Sequence, residues 1–261
     1  MRCEKLNVLF FSPNGTTKKS VCGVADGMGL PSVEFDLTPF EARWNYMTLP
    51  ETEAAIIAMP VYGGRLPGIC REFFRGVKAQ GSPAVVLVTY GNNTYGEALA
   101  ELKNRAVEAG FRVIAAAAVP AEHCMNQVMA KGRPDQEDME HLAAFGSRVR
   151  QLLDGHADIF EISLNGEYPY NYKIYDSRVV PVTGTGCIKC GKCAENCPVC
   201  AINPHKLEET DVIRCLLCMR CVNQCPTKAR TLRDEKTLAH LELLQRMNST
   251  KKEQSFFFGE V

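Results

Sequence analysis

No stretch of this chain approaches the ~20 consecutive apolar residues of a membrane-crossing helix, so no membrane span is expected. Its 30 basic residues balance 30 acidic ones. A net charge of zero leaves no electrostatic footprint for nucleic acid or for a membrane surface. The start, Met1 to Phe11, mixes both signs of charge before a short apolar run. That run lacks the length and the small-residue cleavage site of a secretory signal. No separate glycine-rich dinucleotide fingerprint is visible, so direct oxidation of a nicotinamide dinucleotide has little support. A soluble cytoplasmic protein is the expectation. In a reducing compartment, 13 cysteines point to metal ligation more than to disulfides.

What the chain does contain is a doubled cysteine motif. Cys187-Ile-Lys-Cys190-Gly-Lys-Cys193-Ala-Glu-Asn-Cys197-Pro198 is followed by Cys215-Leu-Leu-Cys218-Met-Arg-Cys221-Val-Asn-Gln-Cys225-Pro226. Each half is C-x2-C-x2-C-x3-C-P. Lys192 matches Arg220, and Ala201 matches Ala229. Three cysteines spaced by threes suit one loop wrapping a cube of iron and sulfide. Structural zinc uses two separated pairs of ligands around one tetrahedral ion and needs no third cysteine. Disulfide frameworks belong to short secreted chains.

The stretch resembles a bacterial-type ferredoxin with two [4Fe–4S] clusters. In that family the fourth cysteine of each run ligates the other cluster. The resemblance implies one cluster on Cys187, Cys190, Cys193 and Cys225, and a second on Cys215, Cys218, Cys221 and Cys197. Oxygen attacks such clusters, so an anaerobic host is expected. Between 186 and 231 seven basic residues face four acidic ones. That excess offsets the negative charge of the clusters and should ease their reduction.

The 261 residues allow one large domain or two ordinary ones. From the start, apolar runs alternate with helical patterns. Strands are expected at Leu6–Phe11, Ser32–Leu37, Ala54–Met59, Ala84–Thr89 and Phe111–Val119. Helices are expected between them, the last from about Asp135 to Leu153. Thr38, Pro39 and Glu41 read as a capped helix start. Five strands alternating with five helices argue an α/β fold, a doubly wound parallel sheet.

Such sheets bind ligands beyond the carboxyl ends of their strands. Three loops there look specialised. Ser12-Pro-Asn-Gly-Thr-Thr17 joins a strand to a helix start, where backbone N–H groups and the helix dipole favour an anion, and Gly15 allows close approach. Pro60-Val61-Tyr62-Gly63-Gly64 and Tyr90-Gly91-Asn92-Asn-Thr-Tyr95 offer tyrosines and glycine-rich backbone suited to a flat ring. The first domain thus resembles flavodoxin. The resemblance implies FMN, with its phosphate on Ser12, Asn14, Gly15, Thr16 and Thr17. The ring would lie against Pro60, Val61, Tyr62, Gly63, Gly64, Tyr90, Gly91, Asn92 and Tyr95. Asn14 stands where the family commonly has a hydroxyl residue, and Thr16 where it has asparagine.

Expected boundaries are 1–155 for the FMN domain, 156–178 for a connecting segment rich in tyrosine, and 179–261 for a small α+β ferredoxin-like domain with a C-terminal helix and tail. The helix spans about Asp234 to Met247. The Phe256–Phe258 triplet is expected to fill a groove on the protein itself. Cys3, Cys22, Cys70, Cys124 and Cys200 lack ligand spacing and read as small hydrophobes. His123 and Cys124, after the fifth strand, are the candidates for proton donation or nucleophilic attack.

The whole resembles the flavodoxin–ferredoxin fusion proteins of anaerobes. That implies an electron carrier linking FMN to two clusters for other redox proteins, as a monomer or a homodimer. Two alternatives stand beside it. One is an FMN-dependent reductase of a small molecule; the other is a flavin-free binding domain fused to a ferredoxin.

Overall fold

The computed structural model describes residues 3–44, 46–155, 162–164, 166, 168–170 and 179–259. The first domain alternates strand and helix: β1 (Lys5–Phe10), α1 (Thr16–Met28), β2 (Ser32–Asp36), a 3-10 turn (Glu41–Trp44), β3 (Met47–Pro50), β4 (Glu53–Pro60), α2 (Cys70–Gly76), β5 (Val77–Gln80), β6 (Pro83–Tyr90), α3 (Ala98–Glu108), β7 (Arg112–Pro120) and α4 (Gln136–Asp154).

The main sheet has the order β10-β7-β6-β4-β1-β2, where β10 is Ser255–Phe258. Its first five strands along the chain are mutually parallel. Counted in chain order they lie 2-1-3-4-5, the doubly wound order of the flavodoxin-like fold. Both faces of the sheet are covered, which is why β6 reads as an apolar run from Pro83 to Val88 and is buried throughout. Leu6, Val8 and Phe10 face α1 and α4, with Val24, Leu142 and Phe145. Leu9 and Phe11 face the opposite layer, with Phe73, Leu99 and Leu102. Helices α1 and α4 touch backbone to backbone. A Cβ on Gly27 would stand 2.0 Å from the Ala143 carbonyl oxygen, and one on Gly146 2.1 Å from that of Val24.

Two elements differ from the expectation. The Thr38–Glu41 stretch yields only the 3-10 turn, because the Thr38 hydroxyl accepts from Ser12 N at 2.8 Å. The expected cap is spent on holding the loop after β1. The strands β3 and β5 form a separate two-stranded parallel sheet.

The cysteine-rich domain is small. It holds the antiparallel pair β8 (Val182–Thr183) and β9 (Arg230–Thr231) and two short helices, α5 (Lys192–Glu195) and α6 (Arg220–Asn223). Helix α7 (Glu235–Met247) follows, capped by Asp234, whose carboxylate accepts from Thr237 N at 2.8 Å.

The tail corrects the expected boundary at 179–261. The chain returns to the first domain, and β10 joins the main sheet antiparallel to β7, Phe256 opposite Ala117. The Phe256 ring stacks on Phe145 at 4.7 Å, while Phe257 packs against the opposite layer. Phe258 lies 5.2 Å from the same Phe145 ring, so period-two alternation puts Phe256 and Phe258 on one face of the sheet and Phe257 on the other. In the connecting segment, the Tyr170 hydroxyl accepts from Asn104 at 3.0 Å and its ring lies 4.8 Å from the Arg65 guanidinium. Tyr172 and Tyr175 lie outside the described residues.

Candidate redox site at the domain seam

The loop after β1 leads into α1 through Gly15, at φ +88°. A Cβ there would meet nothing within 4 Å, so the space above the helix start is open. The neighbouring side chains are committed. The Ser12 hydroxyl accepts from Lys18 N at 2.9 Å. Thr17 and Thr89 share a hydroxyl–hydroxyl bond of 2.7 Å. Asn14 donates to the Cys218 carbonyl at 2.7 Å and accepts from Asn223 at 3.0 Å. Arg220 donates to the Pro13 carbonyl at 2.6 Å. The anion-cradle loop is therefore also the seam between the two domains.

A cavity of about 1030 Å³ opens over this loop, at the carboxyl ends of the strands. Asn14, Thr16 and Thr17 line it, as do Pro60 to Gly64, Tyr90 and Gly91. Ser12, Gly15, Asn92 and Tyr95 are not in its lining. Asn92 is absent from it for a physical reason. Its amide donates to the carbonyls of Asn248 and Thr250 at 2.9 and 3.0 Å, and its oxygen accepts from Lys252 N at 3.2 Å. It ties down the segment between α7 and β10. Arg133, paired with Asp138, donates to the Lys252 carbonyl at 2.6 Å and strengthens that tie. Tyr95 instead packs edge-on against Tyr90 at 5.4 Å.

Sequence reasoning missed the far walls. Thr237, His240, Leu241 and Leu244 of α7 close one side, and Val212, Ile213, Cys215, Leu216 and Leu217 of the cysteine-rich domain another. The spacing of 237, 241 and 244 marks one helix face, but nothing local says what that face covers.

His123 also lines the cavity. Its ring lies so close to Gly91 that a Cβ there would stand 2.2 Å from His123 Cδ2. Nδ1 accepts from the backbone N–H groups of Met125 and Asn126 at 3.2 and 3.1 Å. That assigns the proton to Nε2. Burial pushes the His123 pKa down to about 4, so the ring is a neutral donor at pH 7. Cys124 lies 3.9 Å from the Leu217 carbonyl, and burial pushes its thiol up to about 11. A thiol so disfavoured as thiolate is a poor nucleophile. Burial likewise holds the Tyr62 phenol well above its usual range and pushes Tyr90 up to about 12.

The two cysteine motifs repeat in backbone as well as in sequence. Left-handed residues occur at Lys189, Gly191 and Cys200, and again 28 positions on at Leu217, Met219 and Lys228. Such turns aim backbone N–H groups into a concavity. Lys189 N reaches Cys187 Sγ at 3.4 Å, and Ala201 N reaches Cys197 Sγ at 3.3 Å. One small cavity is lined by Cys187, Cys190, Cys193 and Cys225. A second is lined by Cys197, Cys215, Cys218 and Cys221. Each gathers three cysteines of one run and the last of the other. Cys200 lines neither. Burial pushes the Cys215 and Cys221 thiols up, and at Cys221 the Arg230 side chain opposes this.

The donors fit the groups that the motifs imply. Four thiols per cavity, with backbone N–H groups on two sulfurs, suit an anionic iron–sulfur group. The large cavity, with an open helix N-terminus at one end and tyrosines at the other, suits a ring bearing a phosphate.

Residues 186–230 match the 4Fe-4S dicluster domain family. No curated protein matches the chain. Among solved structures, a flavodoxin from the domain Archaea is 14% identical over 57% of this chain and 99% of its own, with a TM-score of 0.40. Flavodoxin from Megasphaera elsdenii is 16% identical over 55% of this chain and 98% of its own, with a TM-score of 0.35. A short-chain flavodoxin associated with a bacterial microcompartment is 14% identical over 59% of this chain and 99% of its own, with a TM-score of 0.42. The strand order of the main sheet and the family match of residues 186–230 together make this chain a flavodoxin-like α/β domain joined to a 4Fe-4S dicluster domain.

Proposed function

We propose that the chain is an electron carrier holding FMN in the large cavity and one [4Fe–4S] cluster in each cysteine cavity, with ligands crossed between the runs. A flavin exchanges one or two electrons and a cluster one, so their union converts between two-electron and one-electron traffic. One observation carries the reading: Cys215, Leu216 and Leu217 line both the large cavity and the second cysteine cavity. The separation there is a single layer of residues. Leu217 is buried, so this wall also keeps water out of the path.

Asn14 and Arg220 fix the distance by bonding the cradle loop to the second motif. The N–H groups at the start of α1 would hold the phosphate. Tyr62 and Gly63 would flank the ring on one side, with Tyr90 and Gly91 on the other. The seam lies within one chain, so a second copy is not needed to complete it. Other redox proteins are the proposed partners.

A second reading has one observation in its favour. His123 presents a neutral N–H donor on the wall of the same cavity, as a reductase of small molecules would use. Stopped-flow reduction of anaerobic protein, followed at flavin and cluster wavelengths, separates the two. A carrier equilibrates flavin with clusters whether or not His123 is present. Flavin that stays reduced beside oxidised clusters, with substrate turnover lost in His123→Ala, would transfer the assignment to the reductase.

A further inference from the structure

Arg230 is 2% exposed. It opens β9, and the pairing of Thr183 with Arg230 in the β8–β9 ladder sets its place. Nη1 donates to the Thr183 hydroxyl and the Leu207 carbonyl, both at 2.7 Å. Nη2 donates to the Thr210 hydroxyl. All three acceptors are neutral. Nε is buried and has no hydrogen-bond partner at bonding distance among the described residues, although the side chain acts on the Cys221 thiol.

A guanidinium cannot shed its proton, and burying an uncompensated cation is costly. A buried N–H donor left without an acceptor adds to that cost. Both deficits call for an anion with acceptor atoms beside Nε. Arg230 lines both cysteine cavities, and thiolate-bound iron and sulfide would supply such an anion in each.

We propose that Arg230 is a positioning residue common to both iron–sulfur sites, with Nε–H donating to cluster sulfur and its charge raising the reduction potential of both clusters. The inference rests on the two-cluster reading above. Reduction adds one electron to a cluster, and a fixed cation favours the more negative state. One residue between two sites acts on both at once.

The test is a redox titration of anaerobic holoprotein, monitored by paramagnetic resonance, with iron and sulfide counted beforehand. Arg230→Met is expected to shift both midpoint potentials to more negative values. Arg230→Lys keeps the charge and loses the Nε donor, so a smaller shift in the same direction is expected. Arg233→Met, an exposed neighbour, is the control and should shift neither. A fully loaded Arg230→Met protein with either potential unmoved would overturn the proposal.

A measurement on the native sequence covers the case in which the variants fail to load. In protein labelled with arginine carrying ¹⁵N at Nε alone, pulsed resonance of the reduced cluster on Cys187, Cys190, Cys193 and Cys225 should show a coupled arginine nitrogen. Arg230 is the one arginine among the described residues lining that cavity. An absent coupling rejects the hydrogen bond. A native protein without iron would instead overturn the cluster reading, so the two failures are told apart.

Discussion

The Asn14 side-chain amide donates to the Cys218 backbone carbonyl at 2.7 Å, joining the anion-cradle loop of one domain to the cysteine motif of the other. Its oxygen accepts from Asn223 at 3.0 Å. Asn14→Ala removes both bonds. At roughly 1 kcal/mol each, the loss should be about 2 kcal/mol and should fall on the seam. Thermal unfolding should begin earlier, and cluster reduction by photoreduced flavin should slow, while iron content stays the same. Unchanged transfer in the variant would mean that other contacts set the spacing.

Iron analysis should find eight irons per chain, because eight cysteines form two sets of four. Cys197→Ala should damage the cluster on Cys215, Cys218 and Cys221, although Cys197 belongs to the first run. Paramagnetic resonance of the reduced variant reads which signal is lost. Loss of the other signal would refute the crossing.

How far the sequence reached depended on whether a signal was local. The cysteine spacing and β6's buried run are local, and both were readable. Gly15 between β1 and α1 was readable as a turn, yet Asn14 pairs with Cys218 across 204 residues, which no local pattern announces. Asn92 looked like a ring contact because of its loop. Its amide instead serves the segment before β10, and that segment's return could not be foreseen from Asn92's neighbours. The Phe256–Phe258 triplet shows the same limit. Phenylalanine on both faces of a strand leaves no polar alternation, so its period was invisible, and its partner β7 lies far back in the chain.

Phe256→Ala tests that return. The ring stacks on Phe145 at 4.7 Å and is half-buried, so a cost of about 2 kcal/mol is expected, below that of a fully buried ring. The β7 edge would then be less firmly covered, and the variant should aggregate more readily on warming. Light scattering during a thermal ramp reads both effects. An unaltered ramp would argue that β10 contributes little in solution.

Flavin binding can be perturbed from two ends. Gly91→Ala would set a Cβ 2.2 Å from His123 Cδ2, and relieving it should cost about 1–3 kcal/mol and weaken FMN retention. Gly15→Asp places a carboxylate at the start of α1, where the phosphate belongs, in a left-handed conformation that Asp tolerates better than most residues. It should abolish FMN binding and leave iron intact. Extraction and chromatography of the bound nucleotide should give FMN and not FAD, since the described residues form one phosphate cradle. Retained FMN in Gly15→Asp would move the phosphate elsewhere.

The pH dependence of stability carries a mark of His123. Burial lowers its pKa to about 4 in the folded chain, against about 6.5 when unfolded. Between these values the unfolded chain holds the proton and the folded chain does not, so stability rises with pH there. The contribution is complete above about pH 6.5 and is lost as pH falls toward 4, on the order of 3 kcal/mol in all. His123→Gln removes the titration. The stability difference between native sequence and variant should therefore be flat from pH 7 to 8 and shrink steadily from pH 6.5 to 5. Denaturant midpoints of both proteins across that range measure it, and acid damage to the iron sites largely cancels in the difference. Parallel profiles would show that His123 can take up a proton in place, and would remove the ground for treating it as a fixed neutral donor beside the flavin.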